Sequence, residues 1–209
     1  MNCKFAIVLL LSLCSCASLP ALFLPTITDE RLEAFVAEEA KQILKVSENP
    51  HKAALYKFYL VKFPREDIFG LSFGEQRIFI SYELTRLARE KTGYLWLFRH
   101  TLAHEIAHDV LEHGKSQEVA SLNAVRQSHD RITGRDLGLP LFASFRNYSP
   151  AVELAADRKA IEYWKEIGWD CGIWVQLFRG FLDHGYIGDL DHPTKERLSQ
   201  AIRICDSEG

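Results

Sequence analysis

The sequence predicts an α+β domain, mostly α, in which a helical body carries a small antiparallel sheet. Three observations lead there. Tyr94, Leu95, Leu97, Phe98, Leu102, Ile106, Val110 and Leu111 recur at helical spacing across a Pro-free stretch. Leu32, Phe35, Val36, Ala40, Ile43 and Leu44 make a second apolar stripe, with acidic residues on the opposite side. Between these two helices lie three short apolar runs rich in aromatic and β-branched residues, the pattern of short strands.

Length and composition set the outer bounds. The 209 residues, 47% of them hydrophobic, suffice for one domain with a sizeable core. The net charge of −3 and the lack of a basic block interleaved with aromatics argue against nucleic acid as a partner.

The chain opens on Lys4 and the apolar run Phe5 to Leu13, broken only by Ser12, which is short for a membrane span. Leu13-Cys14-Ser15-Cys16-Ala17 follows and resembles a bacterial lipobox, with Cys16 as the lipidated residue. Cleavage at Cys14, ordinary signal cleavage and an uncleaved anchor are the alternatives. The expectation is a signal peptide over 1–15, a lipidated tether over 16–27 and the domain over 28–209. Ala17 after the cysteine resembles lipoproteins sorted to the outer membrane, facing the periplasm. Cys171 and Cys205 would then lie in an oxidising compartment, either paired or as two buried thiols.

The elements follow in order. A helix starts at Asp29 and ends at Asn49-Pro50. Tyr56 to Phe63 reads as a strand. Ile68 to Phe73 and Arg77 to Ile80 form a hairpin about Gly74-Glu75-Gln76, which completes the antiparallel sheet. Ser81 opens a helix through Leu84, Leu87 and Ala88. Thr92 caps the next helix, and Gly114 ends it. Residues 115–150 carry a possible helix at Val119 to Gln127 and otherwise read equally as a substrate-side lid or as a disordered insertion. Ser149-Pro150 starts a helix that Gly168 closes. Cys171 to Leu182 and a segment through Leu198, Ala201, Ile202 and Cys205 make the last two helices.

The Pro-free helix carries His104-Glu105-Ile106-Ala107-His108. Positions i and i+4 of a helix share a face, so both imidazoles can reach one metal ion at roughly 2.0–2.1 Å. Glu105 projects beside them, badly placed to ligate but able to act on a water held there. Two nitrogen donors need a third ligand. Glu153 and Asp157 are also i and i+4. One carboxylate can ligate, and the other can take the free N–H of a ligand histidine. His100 is expected to be packed or capping, and His113 to favour the helix C-terminal dipole. His51, His129 and His184 show no partner spacing. Trp96, Trp164, Trp169 and Trp174 are core or boundary residues.

H-E-x-x-H at 104–108, followed by Glu153-Leu154-Ala155-Ala156-Asp157 and by His192-Pro193 through Arg197, resembles the HtpX and CAAX-prenyl endopeptidase family of gluzincin zinc metallopeptidases. The layout of the chain resembles the short bacterial periplasmic lipoproteins of that family, which have one catalytic domain, no multi-pass membrane region and no tetratricopeptide array. The resemblance implies a zincin-type helical domain and one Zn2+ per chain. It implies His104, His108 and Glu153 as ligands, Glu105 as general base and Asp157 as hydrogen-bond partner of a ligand histidine, His104 by preference. His192 or Arg197 would then help hold the oxyanion. Relatives carry an N-A-F-x-x-P-G-G-like run where this chain has Asp67-Ile68-Phe69-Gly70-Leu71-Ser72-Phe73-Gly74, without the Pro and one Gly. That difference bears on the edge strand and on substrate choice.

The function expected is hydrolysis of peptide bonds in misfolded or membrane-associated envelope proteins. The polypeptide would be held by addition to the strand near Phe69 to Phe73, and the membrane reached through lipid on Cys16. A chaperone or binding module that keeps the zinc with little proteolysis is the alternative. A purely structural zinc site fits less well, because such sites are closed by four protein ligands.

Overall fold

The computed structural model describes residues 26–48, 50–63, 68–72, 74–113, 148–187 and 192–207. The expected signal peptide, the lipidation site at Cys16 and nearly all of the 115–150 segment, with its lid reading, lie outside the described residues.

Helix α1 spans Glu30–Val46. Asp29 caps it, accepting from the amides of Arg31 and Leu32 at 3.1 Å while its own amide donates to Glu33 Oε1 at 3.3 Å. This reciprocal capping satisfies donors that a helix start leaves unpaired. A 3-10 turn over Pro50–Leu55 leads into β1, Lys57–Val61. Strand β2 is Gly70–Ser72 and β3 is Arg77–Ser81. Helix α2, Tyr82–Glu90, starts on the Ser81 hydroxyl, which accepts from Leu84 N.

Helix α3 spans Thr92–Val110 and holds both histidines of the motif. Its start differs from expectation. Lys91 occupies the cap in an extended conformation, with no side-chain cap hydrogen bond, and Thr92 is already helical. It also stops at Val110, short of Gly114. Helix α4, Pro150–Ile167, has Pro at its first position, where no amide hydrogen is needed. Gly168, at φ +87°, closes it in the left-handed conformation that disfavours a Cβ. Helices α5, Cys171–Asp183, and α6, Thr194–Asp206, complete the described fold. No described helix is long and apolar enough to cross a membrane.

The sheet departs from the expected antiparallel one. Its order is β1-β3-β2; β2 pairs antiparallel with β3, but β1 pairs parallel, with Lys57 opposite Arg77 and Val61 opposite Ser81. Strand β3 takes the centre because Ile78, Phe79 and Ile80 are buried on both faces. Alternation in β1 determines which side chains face the core, but either strand direction satisfies that requirement. One face, with Leu60, Ile78 and Ile80, joins the main core. The other packs Val61 and Phe79 against Tyr59, Phe63 and Leu71. Thr26 bridges Val61, so the outer side of β1 is partly covered. Among the described residues no strand pairs with the outer side of β2.

The helices bury Phe98, Leu102, Ile106, Ile161, Trp164, Trp174 and Phe178 as one core. Arg99 lies 4.7 Å from both the Trp96 and Trp169 rings and forks onto Glu39 at 2.7 and 3.2 Å. This partnered cation locks α1 to α3. A disulfide joins Cys171 to Cys205, which resolves the choice between pairing and two thiols. It ties the start of α5 to the end of α6.

Candidate metal centre

Helix periodicity places His104 and His108 on one face of α3, and α4 packs against that face. Glu153, in the first turn of α4, is brought between them. One donor atom from each of His104, His108 and Glu153 lies within 4.8 Å of the others. His104 Nε2 is 3.0 Å from His108 Nε2 and 3.1 Å from Glu153 Oε2, and His108 Nε2 is 3.5 Å from Glu153 Oε1. Glu153 is only 1% exposed, and its Oε2 accepts no well-directed hydrogen bond despite the nearby imidazole. Two imidazole nitrogens and an orphaned carboxylate oxygen facing one point are donors suited to a divalent cation. The group can hold a metal ion.

The surroundings orient these donors. Asp157 Oδ1 lies 3.0 Å from His104 Nδ1. An ionised carboxylate can only accept, so Nδ1 carries the proton and Nε2 is left for a cation. Asp157 is held in turn by Arg197, whose Nε and Nη2 donate to its two oxygens, each at 2.6 Å. On the other candidate donor, His108 Nδ1 meets His113 Nδ1 at 3.0 Å, which again leaves Nε2 toward Glu153.

The electrostatics favour positive charge at this point. Burial alone would lower the His104 pKa, but the Asp157 and Glu153 carboxylates outweigh it and push it up to about 10. Burial and the neighbouring His104 push His108 down to about 3. Burial works against ionised Glu153 and Asp157, yet both stay below the usual carboxylate range. His104 and His108 hold Glu153 there, and Arg197 with His104 holds Asp157.

Glu105 is buried on the same helix, directly beneath β2. A Cβ at Gly70 would meet Glu105 Cγ and Thr101 Cγ2 at 2.8 Å and Glu105 Oε1 at 3.2 Å. The strand backbone therefore rests on the glutamate side chain. His192 and Arg197, the two oxyanion alternatives, take different places. His192 is about one-third exposed, with Nε2 3.5 Å from Glu153 Oε1. Arg197 is largely buried, committed to Asp157, and reaches Glu153 Oε2 only at 3.9 Å.

His100 is packed: its ring lies parallel to His104 at 6.2 Å and 4.2 Å from Trp174. Burial, with Arg197 nearby, pushes it down to about 3. Three contributors to the site escaped sequence reasoning. His113 approaches His108 instead of only the helix end, and no helical spacing predicts that because it lies past the last turn of α3. Tyr148 stacks on His108 at 4.1 Å. Gly70 did carry a signal, since a glycine inside an apolar strand run often marks close backbone approach.

Models of known protein families give no match to this chain. No curated protein matches it either. The likeness to zinc peptidases therefore rests on the quoted motifs.

Proposed function

We propose that the protein is a zinc endopeptidase that hydrolyses peptide bonds of unfolded or membrane-associated polypeptides in a bacterial envelope. The observation that carries this reading is the convergence of His104, His108 and Glu153 beside Glu105, under the edge of β2 that no other described strand pairs. Among the described residues three side chains converge, whereas structural zinc sites are closed by four protein ligands. Zinc held by the three side chains supplies Lewis acidity, which polarises a carbonyl and acidifies a water.

The chain's own residues do the rest. The edge of β2 aligns an extended substrate by backbone hydrogen bonds. Glu105 takes a proton from the attacking water and returns it to the leaving amine. His192, on the solvent side of Glu153, donates to the developing oxyanion. Arg197 acts through Asp157, keeping His104 in the tautomer that ligates. Burial excludes bulk water from the ligands and strengthens each of these interactions.

The test is to purify the mature chain, measure its zinc, and compare cleavage of an unfolded protein with that of Glu105→Gln. Loss of at least about a hundredfold is expected, the scale of general acid–base catalysis. Equal rates would overturn the assignment, and zinc binding without Glu105-dependent cleavage would leave a binding module.

Placement in the outer membrane, facing the periplasm, belongs to the same proposal and rests on the 13–17 motif. Labelled palmitate should be incorporated into the wild-type chain and lost in Cys16→Ser. Equal labelling of both forms, or none of either, would refute lipid anchoring at Cys16.

A further inference from the structure

Tyr148 contacts the side of β2 that pairs with no other described strand. Ser81 N donates to Phe69 O at 2.9 Å, so residues 69 and 81 form a hydrogen-bonded pair of the antiparallel ladder. Such pairs alternate with pairs whose backbone groups point away from the partner strand. Gly70 and Ser72 therefore aim their N–H and C=O groups at the side of β2 that no other described strand pairs. The Ser72 carbonyl, on that side, accepts from Tyr148 Oη at 3.5 Å.

The same phenol lies flat on His108, with centroids 4.1 Å apart and planes at 17°. Tyr148 is 5% exposed and His108 1%. Tyr148 directly precedes Ser149-Pro150, where α4 begins, so its side chain spans from the helix bearing Glu153 to the edge strand. It covers one ligand histidine and takes a carbonyl that a bound polypeptide would use.

We infer that Tyr148 is a substrate gate: an extended polypeptide must displace its phenol from the Ser72 carbonyl and from His108 to seat on β2. The inference rests on the peptidase reading of the site. The contact suits displacement. The Ser72 contact is a long, neutral hydrogen bond, and an incoming strand replaces it with those it makes at Gly70 and Ser72, so the gate yields to a strand but not to a single polar group. Extended, unfolded segments would pass, whereas folded loops that offer one contact would not.

The experiment uses the zinc-loaded mature chain carrying Glu105→Gln, so that binding is read without turnover. Fluorescein-labelled casein is the probe, and anisotropy the readout. Tyr148→Phe keeps the ring stack and removes the hydroxyl. It should tighten casein binding by about twofold, the low end for one neutral hydrogen bond because the contact is long, with zinc content unchanged. With Glu105 restored, Tyr148→Phe should lower KM by a similar factor and leave kcat unaltered. A Tyr148→Phe chain that binds casein no more tightly than its parent overturns the gate. So does a fall in kcat at unchanged binding, which would place the hydroxyl in the chemistry. Tighter binding without cleavage by the Glu105 form would refute the peptidase reading and leave the gate standing.

Discussion

At the scale of the residue, the site depends on what lies behind the donors as much as on the donors. Gly70 is the sharpest case. Its missing side chain lets β2 rest on Glu105 and Thr101. Gly70→Ala places a carbon 2.8 Å from both, in a region with little room to yield. Overpacking of this kind costs about 1–3 kcal/mol. The strain should reach Glu105 directly, so we expect cleavage to fall about tenfold or more while zinc content stays at wild-type level. Unchanged turnover with a lowered unfolding midpoint would show that the strand gives way and the glutamate does not. Arg197 teaches the converse. Its sequence position suited an oxyanion donor, yet its guanidinium is spent on Asp157. Which acceptor an arginine meets depends on a residue 40 positions away, and no local pattern encodes that.

At the scale of the element, helices α3 and α4 were legible because each carries its own period. The pairs His104/His108 and Glu153/Asp157 are one helical turn apart, so their shared faces follow from helix geometry alone. The sheet was legible only in part. The β2–β3 hairpin could be seen from its turn residues, whereas the parallel β1–β3 pairing could not, because side-chain alternation is indifferent to strand direction. The Cys171–Cys205 disulfide joins two elements whose spacing says nothing about contact. It closes a loop of 34 residues and clamps α5 to α6, the helix that carries Arg197. Replacing both cysteines by Ala should lower unfolding free energy by about 2–4 kcal/mol. Denaturant titration measures this, and a loss well under 1 kcal/mol would contradict the clamp.

At the scale of the whole molecule, the buried ionisable groups make stability of the metal-free chain depend on pH from two sides. His100 and His108 have folded pKa values near 3, below the unfolded value near 6.5. Their contribution is present above about pH 6.5 and is lost as pH falls toward 3. Asp157 adds to the acid limb, since its depressed pKa stabilises the fold above the ordinary carboxylate range and that gain is lost on acidification. His104 has the opposite sign. Raised to about 10, it stabilises fully below about pH 6.5, and that contribution is lost as pH rises toward 10. Urea midpoints of the chelated protein should therefore peak near neutrality and decline on both sides. A midpoint that rises steadily from pH 6.5 to 9 would contradict the charge assigned to His104.

The sequence by itself determined the helix that carries His104, Glu105 and His108, the second helix with Glu153 and Asp157, and the mostly α class. Each depends on spacing within one element, which the 3.6-residue turn converts directly into a shared face. Only the tertiary structure decided that Glu153 reaches both histidines, that Arg197 serves Asp157, that Gly70 lies on Glu105 and that Tyr148 stacks on His108 beside the Ser72 carbonyl. These contacts join elements far apart in the chain, and their distances are set by how side-chain volumes fill the space between helices and sheet.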